Sequence, residues 1–133
     1  MLMINFKNFI TVIFSLMFVG VGINHFLDTK WFEPIVPEIL GRPSFWIYLS
    51  GIFEILLGIL ILSKEHKKIA SLGIVLLLII LYLANLNMWI NDIPIGGAKF
   101  NNLEHFVRLC IQIILIFMAL YIGNWPPFNK NDT

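Results

Sequence analysis

Seven charged, histidine or amide side chains lie inside otherwise apolar stretches of this sequence. One of them, Asn87, is expected to form hydrogen bonds between helices, and the chemistry of the other six suits ligand binding or proton transfer. Glu54 is the one carboxylate in the run YLSGIFEILLGILIL at residues 48–62. The others are Asn24, His25, Asn85, Arg108 and Gln112. A carboxyl group and an imidazole can exchange protons, whereas amides and a guanidinium donate hydrogen bonds to carbonyl or anionic groups.

The composition places these residues in a membrane protein. Of the 133 residues, 59% are apolar and 13% are charged, against roughly 25% charged in an average soluble domain. Four apolar segments, each near the ~20 residues that a helix needs to cross a bilayer, cover residues 9–27, 45–62, 69–90 and 106–122. They predict an all-α, antiparallel, integral membrane four-helix bundle. It forms one domain over residues 1–133, with both termini on the same side.

The distribution of positive residues predicts the orientation of the bundle. The N-terminal apolar stretch lacks an A-x-A cleavage site, so we expect it to be retained as the first helix. One side then carries Lys7, Lys64, Lys67, Lys68 and Lys130. The opposite side, with longer loops, carries Lys30, Arg42 and Lys99. Both termini are therefore expected in the cytoplasm, and the longer loops outside.

The polar residues are expected to converge in the outer half of the bilayer. At ~1.5 Å per residue, Glu54 lies ~13 Å below the outer boundary, Gln112 ~9 Å, Asn85 ~7 Å and His25 ~3 Å. Helix side chains lean toward their own N-terminus, so Glu54 leans outward while His25 and Asn85 lean inward. Arg108 leans outward from near the surface, which weakens the case for a direct pair with Glu54.

Small residues mark the faces on which the helices are expected to pack. Gly51, Glu54 and Gly58 occupy positions i, i+3 and i+7, which share one face of a helix. Glycines there allow neighbouring backbones to approach closely. Gly20 and Asn24, four residues apart, are expected to form the corresponding face of the first helix.

Two interpretations of these polar groups remain open. Glu54 is either a structural carboxylate bonded to Asn85 or to the backbone, or part of a binding or proton-handling site. Similarly, Arg108 either contributes to such a site or extends to the lipid headgroups. Low-dielectric surroundings favour the neutral form of Glu54 unless a cation lies close. A neutral Glu54, with His25 at the mouth, suits a quinone-like headgroup or a proton relay.

Other classes of function find little support. The chain has no basic stripe to bind nucleic acid, and its single cysteine, Cys110, cannot form an internal disulfide. No metal, haem, flavin or nucleotide motif is present. Ser50 and His25 are expected to be neighbours, but Glu54 is expected too deep to complete a triad. Aromatic residues near the outer boundary are interpreted as interfacial anchors. They are Trp31, Phe32, Trp46, Tyr48 and Trp89.

Five segments in order resemble the DoxX-like family of small bacterial membrane proteins. They are GINHF, FEPIVPEI, YLSGIFEILLGILIL, ANLNMW and RLCIQIILI, and the resemblance covers residues 20–122. It implies a four-helix bundle in the bacterial cytoplasmic (inner) membrane. The polar positions that it implies are His25, Glu54, Asn85, Arg108 and Gln112. One departure is Leu83, where relatives often have proline before the ANL-type motif.

The resemblance implies several functions. The name-giving relatives are associated with a thiosulfate:quinone oxidoreductase, others with redox or detoxification complexes, and distant animal relatives with receptor assembly. Our first hypothesis is a small subunit that binds a quinone or small lipid-like ligand and supports a membrane-associated oxidoreductase. The alternatives are a non-catalytic scaffold or assembly factor and, third, a proton-coupled carrier. Expected partners are the bilayer, an oxidoreductase and a second copy of the chain.

Overall fold

The computed structural model describes residues 6–129, and four long helices dominate it. They are α1 (Phe6–Leu27), α3 (Pro43–Leu60), α4 (Lys67–Ile90) and α5 (Asn102–Ile122), with a short α2 (Thr29–Phe32) after the first. Each long helix has the length and hydropathy needed to cross a membrane. The predicted all-α membrane four-helix bundle is confirmed.

All four long helices begin earlier than their apolar segments, and polar or cyclic residues start two of them. Asn101 caps α5: its side chain accepts the N–H of Glu104 at 2.8 Å, and the Glu104 carboxylate accepts the N–H of Asn101 at 3.1 Å. This reciprocal pair satisfies two N–H groups at the helix start. Pro43, whose fixed φ suits the first turn, begins α3. Neither feature belongs to the apolar pattern.

The bundle consists of two antiparallel pairs, α1 with α3 and α4 with α5, and α3 also packs against α4. Residues 28–42 and 91–101 form one end, here called the loop end. Residue 6, residues 61–66 and residues 123–129 form the other, the terminal end. The Lys7 ammonium lies 4.9 Å from the centre of the Tyr121 ring. Both described chain ends therefore lie on the same side, as predicted.

The terminal end carries most of the lysines counted in the sequence. Lys64 lies in it and Lys7, Lys67 and Lys68 lie within two residues of it, while Lys130 lies outside the described residues. The Trp125 indole N–H donates to the carbonyl of Lys68 at 2.8 Å, and the Lys68 ammonium lies 4.8 Å from the Trp125 ring centre. These contacts hold the segment after α5 against the start of α4.

The main hydrophobic core fills the half of the bundle nearer the terminal end. Its fully buried members include Phe14, Ile61, Ile74, Ala119 and Ile122. The outward faces of the helices are also apolar: Leu16 is 68% exposed and Ile80 61%. An apolar surface around an apolar core is expected when hydrocarbon surrounds the helices.

The α1–α3 contact depends on glycines that face each other. A Cβ atom added at Gly22 would lie 2.8 Å from the carbonyl oxygen of Gly51, and one added at Gly51 would lie 3.0 Å from that of Gly22. Along the same α1–α3 contact, here called the glycine seam, the Ser15 hydroxyl donates to the carbonyl oxygen of Gly58 at 2.6 Å. The predicted face of α3 is correct. On α1, however, the packing glycine is Gly22, because Gly20 has no atom within 4 Å of its would-be Cβ.

Gly22 and Gly20 provide a matched test of this seam. Gly22→Ala should lower the free energy of unfolding by about 1–3 kcal/mol, since the methyl group has no room against the backbone of α3. Gly20→Ala adds the same methyl group in open space, where alanine is the better helix former, and should cause no loss. Thermal unfolding of both variants in one detergent measures the difference. Equal destabilisation by the two would contradict this packing.

Candidate functional site

A cavity of about 580 Å³ lies between the helices in the half of the bundle nearer the loop end. Its walls come from all four long helices and from the segment after α1. Phe18, Leu77 and Leu78 line it and also belong to the main core, so the core closes it toward the terminal end. Apolar walls with a few convergent polar groups are typical of sites for small ligands.

His25 and Glu54 meet on one wall of the cavity. Nδ1 of His25 lies 2.9 Å from Oε2 of Glu54, and the two residues are only 6% and 3% exposed. This contact is close enough for an ion pair but does not count as a hydrogen bond, so Oε2 has no hydrogen-bond donor within residues 6–129. A buried carboxyl oxygen without a donor is costly, and a ligand donor in the cavity would satisfy it.

The glycine seam positions this pair. A Cβ atom at Gly51 would lie 3.0 Å from the Cβ of His25, and one at Gly22 would lie 3.1 Å from the Cβ of Glu54. Each of the two side chains thus covers the glycine of the opposite helix. They then lean toward each other because α1 and α3 run in opposite directions.

Glu54 reaches His25, as the expected convergence of their leaning side chains indicates, so it is not too deep for that contact. The expectation that Glu54 is too deep for a triad took the carboxylate at the depth of its backbone. Ser50 Oγ lies 3.5 Å from the same Nδ1 and donates to the carbonyl of Ile47 at 2.9 Å. A hydrolytic triad needs the serine and the acid on different imidazole nitrogens. This arrangement therefore does not form one.

Arg108 and Asn85 form a second polar group on the wall built by α4 and α5. A guanidinium N–H of Arg108 donates to Oδ1 of Asn85, and the guanidinium carbon lies 5.3 Å from the centre of the Phe100 ring. One turn along α5, Gln112 donates to the carbonyl of Leu78 at 2.6 Å. All three polar side chains line the same cavity as His25 and Glu54.

Asn24 is the one predicted site residue that the structure keeps away from the cavity. It is exposed on α1, and its carbonyl accepts the N–H of Asp28 at 2.9 Å. Since successive residues are about 100° apart around a helix, Asn24 turns away when its neighbour His25 faces α3. The pairing of Asn24 with Gly20 on a packing face is therefore wrong.

Residues at the loop end cover the cavity. Ile35 packs with Met88 and Ile95 in a small buried cluster. The Asn87 amide donates to the carbonyl of Ile35 at 3.0 Å. Gly96 has a φ of +59° and lies against the edge of the Trp31 indole. A Cβ atom added at Gly96 would lie 2.5 Å from the indole nitrogen of Trp31. The two long connections thus close over the same space.

Sequence reasoning missed the aromatic residues of the site. Trp31, Phe32 and Trp46 line the cavity, although they were interpreted only as interfacial anchors. His105 was also overlooked: it is 4% exposed and stacks on Trp89 with ring centres 5.5 Å apart. Their proximity to the expected mouth of the cavity was the available signal, but it does not distinguish a lining residue from an anchor.

Part of the cavity wall faces the surrounding hydrocarbon. Phe53 on α3 lines the cavity and is 47% exposed, and Ile80 and Leu83 on α4 are 61% and 55% exposed. These side chains therefore contact both the cavity and the outer surface between α3 and α4. Within residues 6–129, no three His, Cys, Asp or Glu side chains are arranged to hold a metal ion.

Comparison with known proteins identifies a family but no activity. A family model described as a domain of unknown function, DUF8561, matches residues 14–123. The chain belongs to the DUF8561 family. The match includes all four long helices from the middle of α1 onward, and with them every residue of both polar groups. No curated protein and no solved structure matches the chain.

A double-mutant cycle tests whether His25 and Glu54 act as a pair. His25→Leu and Glu54→Leu should each destabilise the protein, because each leaves a buried polar partner alone. The combined variant should lose about 0.5–3 kcal/mol less than the sum of the two. Chemical unfolding in detergent measures these values. Asn24→Leu combined with Glu54→Leu is the control and should be additive; additivity in the His25 cycle as well would refute the pairing.

Proposed function

We propose that this membrane protein binds a quinone or another small lipid-like molecule in its cavity and serves a membrane-associated oxidoreductase. The observation that supports it most is the cavity itself. Its walls are largely apolar, and they carry the His25–Glu54 pair and the Arg108–Asn85 pair. A ligand with an apolar body and a hydrogen-bonding head matches that distribution.

The polar groups have the chemistry that a quinone head needs. Arg108 and Asn85 supply N–H donors for a carbonyl oxygen. The buried Oε2 of Glu54, which lacks a donor, fits the hydroxyl of a reduced head. The His25–Glu54 pair can hold or release a proton beside the ligand. A bound quinone would supply the electron transfer.

The link to an oxidoreductase rests on the resemblance to DoxX-like proteins. The DUF8561 match does not itself assign the chain to that family. The chain would act there as a ligand-binding subunit, and the electrons would come from a partner protein. This part of the proposal is independent of the cavity. Copurification of a dehydrogenase or sulfur-oxidising enzyme with the tagged chain would support it.

Quinone titration tests ligand binding directly, because Trp31 and Trp46 line the cavity and report an added quencher. Decylubiquinone should quench the tryptophan fluorescence of the purified protein saturably. Glu54→Leu should weaken binding by about tenfold, the effect of losing one buried hydrogen bond, while Glu54→Gln should retain part of it. Asn24→Leu, outside the cavity, should bind normally. If neither the wild type nor Glu54→Gln shows saturable quenching, the result contradicts quinone binding and favours the scaffold hypothesis.

The orientation is a further part of the proposal: the lysine-rich terminal end faces the cytoplasm of a bacterial cell. The only native cysteine, Cys110, is first replaced by serine. A membrane-impermeant maleimide should then label Lys99→Cys at the loop end of intact cells and should label Lys64→Cys only after lysis. Labelling of Lys64→Cys in intact cells would contradict this orientation and indicate the opposite one.

A further inference from the structure

The ionisable groups of the cavity leave one positive charge without a counterion. Three ionisable side chains line the cavity, namely His25, Glu54 and Arg108. The first two lie against each other, with Nδ1 of His25 2.9 Å from Oε2 of Glu54. The guanidinium of Arg108 stays protonated in proteins. Arg108 is therefore a cation on the cavity wall that stands outside this pair.

No carboxylate of the described chain compensates Arg108. The ion pairs within residues 6–129 are His25–Glu54 and Lys99–Asp92, and Arg108 belongs to neither. Glu104, one turn earlier on α5, uses its carboxylate to cap that helix. Tyr82 is close enough to interact electrostatically with Arg108, but a phenol is uncharged at neutral pH.

The hydrogen-bond donors of this wall are also mostly free. Arg108 has five N–H donors, and its one hydrogen bond to another described side chain is to Oδ1 of Asn85. Because that oxygen is occupied by the guanidinium, the amide NH₂ of Asn85 remains available as a further donor. A guanidinium beside an amide NH₂ presents a planar set of donors that matches the oxygens of a carboxylate or phosphate.

We infer that the cavity selects amphiphiles with a singly charged anionic head, which binds at Arg108 and Asn85. This inference rests on the proposed function, since it specifies which small lipid-like ligand the cavity takes. The apolar tail lies along Phe53 and Leu83, where the wall between α3 and α4 faces hydrocarbon. An oxidised quinone, whose head is neutral, leaves the charge of Arg108 uncompensated and binds more weakly.

A pair of ligands that differ only in charge tests the inference on the native protein. Palmitate and the matching long-chain alcohol are titrated against protein in a neutral detergent, at mildly alkaline pH so that the carboxylate is ionised. Tryptophan quenching by brominated forms of both probes gives their affinities. Wild-type protein should bind the carboxylate about tenfold or more tightly than the alcohol, the effect of one charge-assisted contact.

Two variants assign that preference to Arg108. In Arg108→Gln the carboxylate and the alcohol should bind about equally, whereas Arg108→Lys should keep a preference for the carboxylate. Lys99→Gln is the matched control, because it removes a positive charge at the loop end from a side chain that does not line the cavity. Its preference should equal that of the wild type.

The outcomes separate this inference from the proposed function. Equal binding of palmitate and alcohol by the wild type, or a preference that survives in Arg108→Gln, would overturn the inference and leave amphiphile binding intact. If the wild type bound neither palmitate, nor the alcohol, nor decylubiquinone saturably, both the inference and the proposed function would be overturned. Because the first comparison uses only unmodified protein, it remains decisive even if Arg108→Gln fails to fold.

Discussion

The close approach of α1 and α3 across Gly22 and Gly51 is the constraint on which the rest of the site depends. Each glycine lies beneath the polar side chain of the opposite helix, so the seam brings His25 and Glu54 together. A larger residue at either position would separate the two backbones and the two polar groups at once. Helix packing and site assembly are therefore the same interaction in this half of the bundle.

The remaining architecture follows from how the two helix pairs meet. Toward the terminal end, large side chains such as Phe14 and Ile74 fill the space between them. Toward the loop end side chains do not fill the space between the two pairs, and it forms the cavity. The connections around Trp31 and Ile35 cover this cavity. One wall then carries the His25–Glu54 pair, and the other carries the Arg108 guanidinium, which forms no ion pair with a carboxylate within residues 6–129. That asymmetry gives the cavity its two chemically different sides.

The sequence was sufficient for the fold, because apolar length alone predicts helices that cross a bilayer. It also placed Glu54 on the packing face of α3, since the spacing from Gly51 to Gly58 is a local property of one helix. The register between helices is not local, so the sequence indicates Gly20 in place of Gly22, and it indicates that Glu54 and His25 converge in depth but not that they touch. The sequence does not predict how the two long connections cover the cavity, because that arrangement depends on contacts between residues far apart in the chain, such as the hydrogen bond of Asn87 to Ile35.

We propose that the cavity is a binding site for a small amphiphile and not a packing defect. The most direct measurement is a crystal structure of the protein grown from a lipid mesophase, with the cavity examined for bound density. We expect elongated density whose head lies within hydrogen-bond distance of Arg108 and whose tail runs between α3 and α4. A bundle in which the helices close and the side chains of the walls fill the space would contradict it.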